Sequence, residues 1–150
     1  MRTVIQRVSE ASVIIDEKCF SSIQKGLLVL ISIENDDNYD DITWLSNKIS
    51  KLRIFDDENK IMNLSVNDVE GEILIVSQFT LHASTVKGNR PSYIKAAKPD
   101  IAIPLYNKFV DKMQDISVNK VKTGIFGSMM KIKLVNDGPV TIIIDSKCRI

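Results

Sequence analysis

Two apolar runs of strand length constrain the fold more than any other feature. Gly26 opens GLLVLISIE and Gly71 opens EILIVSQFTL, and both runs are rich in branched side chains. Runs of this length beside turn residues read as β-strands. Neither approaches the roughly 18 apolar residues that a membrane span requires. The beginning of the chain reads as another strand, because Val4, Gln6 and Val8 alternate with Ile5 and Arg7, and Val13 to Ile15 continue it. Two more alternating runs, MKIKLV and VTIIID, close the chain, with Asn136-Asp137-Gly138-Pro139 between them. Helical spacing appears twice. Ile42, Leu45, Ile49 and Leu52 recur at steps of three and four, after a break at Asn35-Asp36-Asp37 and with an end near Arg53. Leu105, Phe109, Val110 and Met113 predict a second helix that begins between Pro99 and Pro104. The order predicts an α+β fold, mostly antiparallel strands with two main helices, and not a βαβ repeat.

The 150 residues suit a single domain spanning 1–150. Twenty Lys and Arg against 19 Asp and Glu leave a formal charge of +1. That balance excludes a wholly basic nucleic-acid coat but leaves room for a local basic patch. MRTVIQRVSE lacks the apolar core of a signal peptide, so a cytoplasmic protein with no membrane partner is expected. Cys19 and Cys148 form no CxxC and read as free thiols. His82 is the one histidine, so a His-rich metal site cannot be built within one chain. Any Ser-His or Cys-His pair must also use it. No metal and no cofactor are expected.

Four segments could carry chemistry, and each has a plainer reading. Ser77-Gln78-Phe79-Thr80 clusters polar groups at the end of an apolar strand, where a rigid sheet can present them to a cleft. The same groups could satisfy neighbouring backbone. Asn136-Asp137-Gly138-Pro139-Val140-Thr141 has the residues of a hairpin turn; the sharper reading is a cis Gly-Pro bond that points two carbonyls one way. Lys87 and Arg90, with Lys95, Lys98 and Tyr93 nearby, form either a phosphate-binding loop or a solvated one. In Thr123-Gly124-Ile125-Phe126-Gly127-Ser128-Met129, Phe126 and Met129 suit an adaptable apolar wall or plain core. His82 follows Thr80 by two, on the same side if the strand continues, and no acid is evident to pair with it.

Taken together, these segments resemble the D-aminoacyl-tRNA deacylase family. MRTVIQRVSEASV, GLLVLISIE, KLRIF, KIMNLSV, SQFTL, KGNRPSY, TGIFGSMM and NDGPVT follow one another in the family's order along nearly the whole chain. SQFTL and NDGPVT are its two signatures. His82 and Ser84 stand where the family often has Tyr or Ala and Asp, and Ser128 where Ala is common.

The resemblance implies a homodimer of barrel-like subunits with active sites at the interface. It implies hydrolysis of the ester between a D-amino acid, or glycine, and the 3′-terminal adenosine of tRNA, with L-aminoacyl-tRNA rejected. This is a proofreading role with tRNA as partner and no DNA. Ser77, Gln78, Phe79 and Thr80 then form the catalytic motif. Gly138 and Pro139, as a cis pair entering the partner's site, select chirality beside Phe126 and Met129, and Lys87 and Arg90 bind tRNA. An aminoacyl ester is already activated, so a positioned water and oxyanion donors suffice, and N–H groups around Phe79 and Thr80 could donate. Thr80 as covalent nucleophile is the competing mechanism. A non-catalytic RNA-binding module and a small-ester hydrolase are the alternative functions.

Overall fold

The computed structural model describes residues 1–149. Strand β1 (Arg2–Ile15) is the spine of the sheet. Along one edge it pairs antiparallel first with β3 (Gly26–Ser32) and then with β2 (Lys18–Ile23). Along the other edge it pairs antiparallel with β8 (Lys131–Asp145). The short strands β4 (Phe55–Asp56) and β5 (Met62–Leu64) pair with each other apart from this sheet, and β6 (Glu72–Ser77) and the short β7 (Lys122–Thr123) complete it beyond β3. β2 and β7 are tied together by side chains: Ser21 Oγ donates to the Thr123 carbonyl at 2.7 Å and Lys122 Nζ to the Ser22 carbonyl at 2.6 Å. The sheet thereby curls into a nearly closed barrel, in the α+β class that the sequence predicts.

Two features differ from expectation. β3 pairs parallel with β6, and β6 parallel with β7. The connections run through α1 (Tyr39–Ser50) and α2 (Pro99–Ile116), so two βαβ crossovers are set into an otherwise antiparallel sheet. The second difference lies in β8. NDGPVT is not a hairpin; the chain keeps its direction, and β8 stays on β1 from end to end. Gln6 faces Thr141 while Val8 faces Asn136, so three extra residues loop out as a wide bulge.

The helices obey their spacing. Asn38 caps α1 in a capping box with Asp41, and Ile42, Leu45 and Ile49 are fully buried. Pro99 occupies the first position of α2, as suits a residue without a donor. Pro104 sits inside the helix, which leaves the Asp100 carbonyl without its helical donor. Ala102, Tyr106, Phe109 and Met113 face the sheet. The core has two layers. Leu27, Val29, Ile31, Ile73 and Ile75 pack under the helices, while Leu28, Leu74 and Val76 fill the other face with Val8, Val13 and Ile23. β3 and β6 are therefore buried on both faces, which is why both read as continuous apolar runs. No helix among the described residues is long and apolar enough to cross a membrane.

Candidate active site

β6 ends at Ser77, held by its parallel register with Ile31 of β3. The strand does not run on through Leu81, as the apolar pattern suggests. Phe79–His82 turns into a short 3-10 helix, with the Leu81 amide donating to the Gln78 carbonyl at 3.1 Å. The first N–H groups of such a turn have no partner inside it. Those of Phe79 and Thr80 make no other hydrogen bond among the described residues. Gln78 Nε2 donates to Thr80 Oγ1. Thr80 thus receives a proton-bearing amide where a nucleophile would need a base.

A cavity of about 320 Å³ opens beside this turn. Ser77, Gln78 and Phe79 form one side, and Phe126, Ser128 and Met129 another. Met129 is 92% exposed, Phe126 is half-buried against the main core, and both line the cavity. Tyr106 closes the floor; it stacks edge-on against Phe126 at 5.5 Å and donates to the Ile75 carbonyl at 3.2 Å. Burial raises its phenol to about 12, so it stays protonated at neutral pH.

Lys87 and Arg90 lie outside the pocket, at the exposed tip of a loop. Reciprocal backbone bonds between Ser84 and Ser92, 2.8 and 2.9 Å, close the loop's base. Tyr93 stacks edge-on against Phe79 at 5.0 Å, which couples that base to the turn.

Gly138 and Pro139 are also absent from this pocket. They sit exposed at the crest of the β8 bulge, and the bond between them is cis. Two side chains staple the bulge. Asn136 brackets it by donating to the Val140 carbonyl at 3.0 Å and accepting from the Val140 amide at 3.1 Å. Arg7 Nε donates to the Asp137 carbonyl at 3.0 Å, while Arg7 Nη1 reaches the Ile54 carbonyl at 2.7 Å. Gly138 has φ +130°, and a Cβ there would lie 2.8 Å from Arg7 Nη2. Neither Arg7 nor Asn136 stands out in the sequence, because each is read locally as part of a strand or turn.

His82 does have an acidic neighbour, contrary to expectation. Its Nε2 lies 3.4 Å from Glu34 Oε1, and its Nδ1 is 2.7 Å from Ser32 Oγ. Burial lowers its pKa; Arg2 and the amino terminus push the same way, against Glu34 and Asp37. Ser32 also lines the pocket. Glu34 is 48 positions from His82, and nothing in the linear pattern announces the pairing.

Comparison with known proteins gives the arrangement its context. The family described as D-Tyr-tRNA(Tyr) deacylase matches residues 4–145. A D-aminoacyl-tRNA deacylase of Flavobacterium psychrophilum is 65% identical over 147 residues, 98% of each chain. One from Bacteroides fragilis is 62% identical over the same share of each. Among solved structures, a c-Myc DNA unwinding element binding protein superposes with a TM-score of 0.92 at 38% identity, covering 97% of this chain and 98% of that one. A probable eukaryotic D-amino acid tRNA deacylase shares the fold, with a TM-score of 0.81 at 18% identity over 95% and 97%. With both signature segments in place on this fold, and a family match from β1 to the end of β8, the chain belongs to the D-aminoacyl-tRNA deacylase family of hydrolases.

Proposed function

We propose that this chain hydrolyses the ester of D-aminoacyl-tRNA, and of glycyl-tRNA, by direct attack of water in the pocket beside Gln78–Thr80. The observation that carries this reading is the pair of N–H groups at Phe79 and Thr80, which have no partner among the described residues, set against a pocket in which the described residues offer no activated nucleophile. Two preorganised donors can hold a developing oxyanion, a contribution of about 3–4 kcal/mol per donor in favourable sites. Phe126 and Met129 give an apolar wall that adapts to many side chains.

Chiral selection falls to Gly138 and Pro139 of a second copy. In this chain the pair does not line its own pocket, which supports a role across an isologous dimer interface. β8 supports such an interface, since its outer edge pairs with no strand among the described residues. Ile143, Val135 and Leu134 are exposed along it, and an apolar groove over Val4, Ile142 and Ile144 runs beside Trp44. An unpaired strand edge of fifteen residues invites another copy. The incoming carbonyls would accept the substrate ammonium and fill the space an L side chain needs.

The test is a deacylation assay with D-, L- and glycyl-tRNA. Cleavage of the first and last alone supports the reading. A pure RNA-binding module cleaves nothing, and a small-ester hydrolase does not need tRNA. In the same assay Thr80→Ala is expected to slow the reaction by about tenfold without abolishing it. An ester trapped on Thr80 and seen by mass spectrometry would refute water attack.

Lys87 and Arg90 are proposed to meet tRNA phosphates near the acceptor end. Neutralising both is expected to raise KM equally for every D-aminoacyl-tRNA. It should also reduce the salt slope of binding by about 1 to 2. A changed amino-acid preference would place the loop at the pocket instead.

A further inference from the structure

Three side chains without a role in the scheme above meet beneath the Phe79–His82 turn. Ser32 ends β3, Glu34 follows it by two, and His82 ends the turn. Ser32 is 2% and His82 1% exposed. The Ser32 Oγ lies 2.7 Å from His82 Nδ1 and 3.3 Å from the Phe79 carbonyl oxygen. His82 Nε2 faces Glu34 at 3.4 Å yet has no hydrogen-bond partner among the described residues.

Counting protons limits the arrangements. Ser32 has one hydroxyl proton. If the neutral imidazole carries its proton on Nε2, the N–H lies beside the Glu34 carboxylate, a favourable charge contact outside hydrogen-bond geometry, and Ser32 donates to Nδ1. If the proton sits on Nδ1, the Nε2 lone pair faces a carboxylate, which is repulsive. The carboxylate therefore selects the Nε2–H form. In the imidazolium both nitrogens donate, so the Ser32 proton must leave His82 and turn to the Phe79 carbonyl. That cation would also lie near Arg2 and the Met1 ammonium, with Glu34 and Asp37 as the opposing anions. Arg2 already holds the same turn through Nη1 to the Leu81 carbonyl at 2.9 Å. In the cation the Ser32 hydroxyl pulls on the Phe79 carbonyl instead, which shifts the first peptide of the turn.

We propose that Ser32 and neutral His82 are positioning residues for the deacylation, fastening the Phe79–His82 turn to the end of β3 so that the Phe79 and Thr80 N–H groups stay aimed at the reacting carbonyl. This rests on the oxyanion-donor reading above, and the two can fail separately. The Phe79 carbonyl and the Thr80 N–H belong to one peptide plane, so whatever moves the first re-aims the second. Because the unfolded chain takes up the proton at about pH 6.5 and the folded chain at a lower value, stability also falls as pH drops below that point.

A single histidine makes the test direct. Imidazole ¹⁵N spectra of the free protein carry signals from His82 alone. The expected result is the Nε2–H tautomer at pH 7 and a titration below 6.5, displaced in Ser32→Ala. Single-turnover deacylation of D-aminoacyl-tRNA is then followed from pH 5 to 8. The wild-type rate is expected to fall on the acid side with the His82 titration. Ser32→Ala should be about tenfold slower at pH 7 with unchanged tRNA affinity, and should lose that acid leg. His82→Asn, which offers Ser32 an amide near the Nδ1 position, should lose the leg as well but keep several-fold more rate than His82→Ala. An Nδ1–H tautomer at pH 7, an acid leg that persists in His82→Asn, or a wild-type rate in Ser32→Ala would overturn the proposal. The spectra concern the free protein, so a protein that cleaves no D-aminoacyl-tRNA at any pH would sink the function proposed above and leave the His82 tautomer standing.

Discussion

Mixing Gln78→Ala chains with Gly138→Ala chains, each nearly inactive alone, is expected to restore about a quarter of the wild-type deacylation rate. Gln78→Ala removes a polar side chain from the pocket wall as well as the amide that holds Thr80 Oγ1, so it should cost more than Thr80→Ala. Gly138→Ala places a methyl group 2.8 Å from Arg7 Nη2 and 2.9 Å from Val140 Cγ2, on a backbone at φ +130° that L side chains rarely adopt. Both distort a group that must be set to within about an ångström, so each homodimer should lose roughly a hundredfold. If every active site combines Gln78 of one chain with Gly138 of the other, a mixed dimer has one site with both residues intact and one with both altered. Random exchange makes half the dimers mixed, hence the quarter. If each chain used its own Gly138, mixing would restore nothing. Measuring the rate against the mixing ratio separates the two.

Gly26→Ala is expected to cost about 4 kcal/mol or more, read as a shifted urea midpoint, or to prevent folding altogether. Gly26 opens β3 opposite Glu72 of β6, and a Cβ there would lie 1.8 Å from the Glu72 carbonyl oxygen. No rotamer relieves a clash with backbone, so β3 and β6 would have to separate, and both carry residues of the pocket floor. Gly127 provides the contrast. It has φ +78° but nothing within 4 Å of its added Cβ, so Gly127→Ala costs only backbone strain, about 1–3 kcal/mol. Equal losses at the two positions would mean that β3 and β6 are held less tightly than this register implies.

Much of this architecture can be read from the chain by eye. Ile42, Leu45 and Ile49 announce α1 because a helix repeats every 3.6 residues, and all three are buried. SQFTL and TGIFGSMM are local strings, and the fold brings them to one pocket. The parallel pairing of β3 with β6 was not legible, because a run buried on both faces has no alternation to reveal its neighbours. Nor was the course of β8. Asn, Asp, Gly and Pro favour a change of backbone direction, but whether the chain then reverses or resumes its path depends on β1, more than a hundred residues away. The apolar run ending at Leu81 hid the 3-10 turn, since Phe79 and Leu81 suit a strand equally well. His82 looked solitary because Ser32 and Glu34 reach it only through the β3–β6 pairing.

The union of β1 with β8 has a consequence for how the molecule is made. Residues 2–14 find their partners at 131–145, so one whole edge of the spine strand waits for the far end of the chain to be synthesised. Contacts of such sequence separation close late, because the entropy of the intervening loop is spent before any ladder bond is gained. The helices and the β3–β6 pair can assemble earlier, and the Gly138–Pro139 bulge joins only with the last seam. The polypeptide therefore holds most of its core before Ile132 of the cavity wall and the Gly138–Pro139 bulge arrive, and both reach their places in one late step.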